Sequence, residues 1–221
     1  MKRARWVDSR SVMLGTALIS CILLASCKNN GAPGLTEEGR KLQDAGQSEE
    51  ALTKFKEALA ADPNYMEARL GVGRYYEEKT QLDRALSEYQ AVLDRQPKHV
   101  LAHMYLANVY RKMGNFAEAI RLANEACDLS PSDLQLRQLL GNLYEQGGDL
   151  EGARQAYEAA RKIDPTEHTV HGDLARIYEK KGDNALAVKE YTELVKLIDG
   201  LPKRVNEANA ARQKIRELSG Q

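Results

Sequence analysis

Residues 100–133 read VLAHMYLANVYRKMGNFAEAIRLANEACDLSPSD. Counting from Val100, positions 4, 7, 8 and 11 (His103, Leu106, Ala107 and Tyr110) recur at helical spacing, as do positions 20, 24 and 27 (Ala119, Ala123 and Ala126). That rhythm predicts two amphipathic helices in one stretch. Between them stands Gly114, the residue type that ends a helix in a left-handed conformation. Asn115 follows with an oxygen to cap the next helix, and Glu118 lies where a capping box places its acid. Pro131 closes the second helix, because proline cannot continue its hydrogen bonding.

The pattern spreads outward in both directions. Pro63, Pro97, Pro131 and Pro165 stand 34 residues apart in a chain with only six prolines. A fixed period of this length means stacked supersecondary units. With each proline at position 32, the units span about 32–65, 66–99, 100–133, 134–167 and 168–201. Position 20 is then alanine throughout (Ala51, Ala85, Ala119, Ala153, Ala187), marking a close approach of two helices. Position 8 is small for the same reason (Gly39, Gly73, Ala107, Gly141, Ala175). Large residues fill the space beside them, with Leu42, Tyr76, Tyr110, Tyr144 and Tyr178 at position 11 and Phe55, Tyr89, Ala123, Tyr157 and Tyr191 at position 24. The inter-helix turn carries Gly46, Gly114, Gly148 and Gly182, followed by the N-caps Asn115, Asp149 and Asp183.

These columns together resemble the tetratricopeptide repeat, which is bulky at positions 4, 7, 11 and 24, small at 8, 20 and 27, and proline at 32. The resemblance covers residues 32–199 and implies an all-α fold, a right-handed solenoid of about five helix-turn-helix repeats. It departs from the family pattern at position 4, which is Leu35 and then Arg69, His103, Arg137 and His171, and at Asp199, where a fifth proline is expected. Terminal units have one neighbour and are commonly atypical. After Pro202, Val205, Ala208, Ala211, Ile215 and Leu218 share one face, so residues 203–218 within the segment 202–221 are expected to form a capping helix.

The resemblance also implies where a protein or peptide partner binds, since positions 2, 5, 9, 12 and 13 of the family face a groove lined by first helices. Position 9 here is Arg40, Arg74, Asn108, Asn142 and Arg176, a column of donors, with Leu70, Leu101 and Met104 adding apolar contact and Arg111 adding charge. The carboxylate clamp of chaperone-binding relatives wants Lys and Asn where this chain has Thr36 and Arg40. The function expected is an interaction scaffold for assembling an envelope complex, a pilus or secretion system; the alternative is an adaptor delivering substrates to a periplasmic hydrolase.

Catalysis is not expected. His99 with His103, and His168 with His171, have ligand spacing, but neither pair has a completing Cys or carboxylate cluster, so no metal is expected. Gly147-Gly148-Asp149 lacks the lysine and the preceding strand of a phosphate loop and reads as a turn. No cofactor motif is present. Glu77, Glu78, Glu145 and Glu179 read as surface charge, and Cys127 as a small buried residue.

The remaining signal lies in residues 1–26. Lys2, Arg3, Arg5 and Arg10 precede an uncharged stretch from Ser11 to Ser26 that is too short for a usual membrane span, a signal-peptide layout. It ends Leu24-Ala25-Ser26-Cys27, which resembles the lipobox of bacterial lipoproteins and implies a lipid on Cys27, with residues 27–34 as the lipidated cysteine and tether. Cys21 is the poorer candidate, and ordinary secretion or a retained membrane anchor are the alternatives. Lys28 after the cysteine favours the outer membrane, facing the periplasm, under the Gram-negative sorting rule. Without residues 1–26 the chain holds 28 basic and 31 acidic side chains, a balance that argues against a nucleic-acid partner.

Overall fold

A computed structural model of the protein describes residues 31–220. The signal segment, Cys21 and Cys27 lie outside the described residues. The described chain forms eleven α-helices and one short 3-10 turn: α1 (Ala32–Asp44), α2 (Ser48–Ala61), α3 (Met66–Glu78), α4 (Leu82–Leu93), α5 (Val100–Lys112), α6 (Phe116–Leu129), α7 (Leu134–Gln146), α8 (Leu150–Ile163), α9 (His168–Lys181), α10 (Asn184–Ile198), the 3-10 turn Pro202–Arg204 and α11 (Val205–Ser219). No strand occurs among the described residues. They divide into two compact units, 31–92 and 93–220.

In the first unit α1 packs on α2, and both meet α3. The Phe55 ring is fully buried there. Gly39 and Gly71 make room for it: a Cβ on either would stand 2.6 Å from a ring carbon. Gly73 does the same for Tyr89, at 2.3 Å.

In the second unit each helix from α5 to α11 packs on the next. Gly141 admits the buried Tyr157 ring, where a Cβ would come within 2.5 Å. The third repeat solves the same contact with two small residues, Ala107 and Ala123, both without exposed surface. All five alanines of position 20 are buried. The interfaces thus rest on interlocking large and small side chains, which is how interiors reach close packing.

The turns follow local chemistry. Gly46, Gly114, Gly148 and Gly182 have φ between 77° and 85°. In the second repeat the same place holds Thr80, at φ 56°, the one positive-φ residue other than glycine among those described. Asn115 accepts from the backbone N–H of Glu118 at 3.2 Å and Asp149 from that of Gly152 at 2.9 Å. The capping box of Asn115 and Glu118 is half made, because the Glu118 carboxylate turns away to Arg121.

Two expectations at the chain ends change. The tether 28–34 is shortened because α1 already begins at Ala32, with Pro33 in its first turn, where a missing N–H costs nothing. At the other end α11 buries Ala208 and Ala211 against Leu194 and Ile198, but Val205 is 50% exposed because the 3-10 turn delays the helix until that residue. No described helix is long and apolar enough to cross a membrane.

Candidate functional site

The first-helix residues divide by what already holds them. On α5, Leu101 is 47% exposed and Met104 half-buried. One turn further on, Asn108 donates to the Met104 carbonyl at 3.2 Å and accepts from the Arg111 Nε at 3.3 Å. These four side chains occupy successive turns of one helix, an apolar end and a polar end on the same strip. On α7, Asn142 donates to the Gln138 carbonyl at 3.2 Å, and Gln138 donates to Thr169 Oγ1 of α9 at 2.7 Å.

In the first unit Arg74 is exposed and makes no hydrogen bond or ion pair among the described residues. Arg40 is also exposed, its side chain 65% accessible, with Glu37 4.0 Å away. Leu70 differs from the expected apolar contact: it is only 7% exposed and belongs to the packing. A leucine at the second turn of an amphipathic helix reads the same in sequence whether it faces the groove or the neighbouring helix.

Arg176 is already engaged within the fold. Its Nε and Nη2 donate to the two Glu145 oxygens at 2.9 and 2.8 Å, and Nη2 also meets Asp173 at 2.8 Å. Lys180 reaches the same Glu145 at 2.7 Å. The carboxyl of Glu145 is held down to about 2, chiefly by its hydrogen bonds to Arg176. Burial raises the Asp173 carboxyl, and the Arg176 charge opposes that rise.

This corrects the reading of Glu145 and Glu179 as mere surface charge. Glu145 has a 10% exposed side chain and ties α7 to α9. Glu179 repeats the arrangement one unit later, taking Lys214 of α11 at 2.6 Å and the Tyr191 hydroxyl at 3.0 Å. Burial, and then that bond, push the Tyr191 hydroxyl up to about 12. Glu77 accepts from Tyr89 and Glu78 from Ser48. The signal was present in the sequence as a Glu followed 35 residues later by a Lys (Glu145 to Lys180, Glu179 to Lys214), a spacing one longer than the repeat.

In three repeats position 4 is also paired inside the protein. Arg69 of α3 donates to Glu88 of α4 at 3.1 Å and to the Pro63 carbonyl at 2.9 Å. His103 of α5 faces Glu125 of α6 at 3.3 Å. His171 of α9 lies 2.8 Å from Glu190 of α10 and 3.0 Å from the Pro165 carbonyl. These basic groups stand where the family's position-4 residue packs, and a facing glutamate makes a polar group acceptable there. His99 caps α5, accepting from the Ala102 N–H at 3.2 Å. Cys127 is buried and free, its thiol pushed up by burial.

The profile of the tetratricopeptide repeat matches residues 36–88, 73–134, 106–168 and 139–202. Among solved structures, MamA residues 41 to the end from Desulfovibrio magneticus RS-1 are 24% identical, with 77% of this chain and 97% of that one covered and a TM-score of 0.69. A thermophilic repeat protein of Thermus thermophilus, TTC0263, is 21% identical over 83% of this chain and 98% of its own, with a TM-score of 0.63. Pseudomonas aeruginosa pilF is 16% identical over 86% and 92%, with a TM-score of 0.69. At such identities these likenesses speak for the fold. No curated protein matches the chain in sequence.

Proposed function

Because the chain belongs to the tetratricopeptide-repeat family, we propose that it is a membrane-anchored scaffold that binds a protein or peptide partner on its first-helix face. The observation that carries this reading is the α5 strip. Leu101 and Met104 offer apolar surface beside the half-buried Asn108 and Arg111 on one helix. An apolar anchor bordered by adaptable polar groups is the composition of a binding hot spot. The protein acts by binding rather than by catalysis.

The anchor is a diacylglycerol on Cys27, supported by the Leu24-Ala25-Ser26-Cys27 motif after an uncharged stretch. Lys28 supports the outer membrane as its destination. Together, anchor and helical repeats support a role in assembling an envelope complex, such as a pilus or secretion apparatus.

A photo-reactive residue at position 101 tests the strip in intact cells. It is expected to crosslink one defined partner, while the same residue at Arg121, on the exposed side of α6, does not. Equal crosslinking at both positions would defeat the reading.

A further inference from the structure

In three repeats the basic residue at position 4 meets a glutamate on the second helix of its own unit. Arg69 has Glu88 and His171 has Glu190, both at position 23, and His103 has Glu125 at position 26. The fourth repeat keeps the base and lacks the acid. Its position 4 is Arg137, while positions 23 and 26 are Ala156 and Ala159. The Arg137 guanidinium, half-buried on α7, makes no hydrogen bond or ion pair among the described residues.

The missing side chain leaves a space. A cleft of about 170 Å³ is lined by Arg137, Leu140 and Tyr144 of α7, by Asn124 of α6, and by Gly152, Gln155, Ala156 and Ala159 of α8. Both alanines that replace the acid lie in its wall. Besides the guanidinium, its polar groups are the Tyr144 hydroxyl, the Asn124 amide, which donates to the Ile120 carbonyl at 3.0 Å and to that hydroxyl at 3.5 Å, and the Gln155 amide. Gln155 spends one donor on Glu151 at 3.3 Å. No carboxylate lines the cleft. A water takes about 30 Å³ of liquid volume, so the space admits the end of a glutamate side chain without displacing protein atoms.

The geometry points to a seat for a carboxylate supplied by a partner protein, an acidic side chain that enters between α6, α7 and α8 and pairs with Arg137. The chain itself shows the intended occupant three times, a glutamate lying against the position-4 base. Arginine presents a planar fork of donors to such a group, and the second Gln155 N–H and the Tyr144 hydroxyl beside it suit the remaining oxygen lone pairs. The seat is built from positions 4, 7 and 11 of α7 and from two second helices, so it is separate from the α5 strip. It stands whether or not that strip binds.

The test is nuclear magnetic resonance of the full chain with labelled arginine, following the Arg137 Nε–H signal. Acetyl-Ala-Ala-Glu-Ala-Ala amide at millimolar concentration is expected to shift it saturably, and the same peptide with Gln in place of Glu is expected not to. Arg137→Gln removes this signal and so assigns it, and the other arginine signals of that variant are expected not to respond to the Glu peptide. Ala156→Glu restores the internal partner: it is expected to melt no lower than the parent protein and to lose the peptide response. A response to both peptides alike, no response to either, or a response undiminished in Ala156→Glu would overturn the proposal. Inorganic phosphate shifting the signal at lower concentration than the glutamate peptide would also overturn it, assigning the seat to a free anion.

Discussion

At the residue scale, two kinds of backbone demand separate cleanly. Thr80 sits at φ 56°, where its four counterparts are glycines. A β-branched residue in that region is a true outlier, and such a conformation costs on the order of 1 kcal/mol or more. Thr80→Gly is therefore expected to raise stability by about 1 kcal/mol in chemical denaturation. Sequence alignment of the units pointed to the place, since four of five turn positions were glycine, but only the dihedral angle shows that Thr80 adopts the same turn instead of changing it.

The second demand is space. Gly141→Ala would set a Cβ 2.5 Å from the Tyr157 ring, which has no exposed surface. Overpacking of this kind typically costs 1–3 kcal/mol, and a loss of about that size is expected. Gly172 is the control, because its added Cβ would meet Leu194 at an ordinary 3.6 Å. There alanine's helix preference decides, and Gly172→Ala is expected to gain roughly 0.5–1 kcal/mol. Equal losses at the two sites, read from melting curves, would contradict the packing account.

At the scale of elements, the helices meet through apolar interlocking that the sequence displayed and through ion pairs that it largely hid. The alanine and aromatic columns were legible because each interface repeats the same sizes every 34 residues. The pairing of Glu145 with Arg176 was not, because each residue taken alone looks like a solvated charge on its own helix. Only their approach across α7 and α9 shows that Arg176 is committed to the fold. Leu70 was misplaced for a related reason: helical periodicity gives a face, but not which neighbour covers it.

The pH dependence of that pair can be worked out in sign. Glu145 is held at about 2 in the folded protein, against an ordinary value near 4.3 for an unfolded glutamate. Its charge therefore stabilises the fold fully above about pH 4.5, and that contribution fades as the pH falls through about 2. Glu145→Gln is expected to cost roughly 1–3 kcal/mol at neutral pH. Urea titrations of both proteins should show the gap narrowing steadily below pH 4.5; a gap unchanged down to pH 2.5 would mean that the charge is not what stabilises the contact.

At the scale of the whole molecule, four equally spaced prolines sufficed for the fold class, whereas the position of the chain in the cell rests on the short motif around Cys27. If that motif directs lipidation, four residues, Lys28 to Gly31, separate the lipid from α1. Fully extended, they span at most about 14 Å. Two or three acyl chains, at about 0.8 kcal/mol per buried methylene, hold such a protein firmly to a bilayer. The parent protein is expected in the detergent phase of a cloud-point partition and Cys27→Ala in the aqueous phase. Mass spectrometry showing an unmodified Cys27 on the mature protein would remove the anchor.

The Glu-to-Lys link between consecutive first helices also bears on how such a chain can lengthen. Glu145 finds Lys180 in the next repeat, and Glu179 finds Lys214 in α11, which carries its lysine at the register a sixth repeat would use. The fifth repeat thus offers a lysine behind and a glutamate ahead. An in-frame duplication of its 34 residues would give a copy that is electrostatically matched at both joints, with the old terminal helix still closing the array. A repeat gained in this way would meet its matching charge at both joints, and for this link the last helix would need no accompanying change.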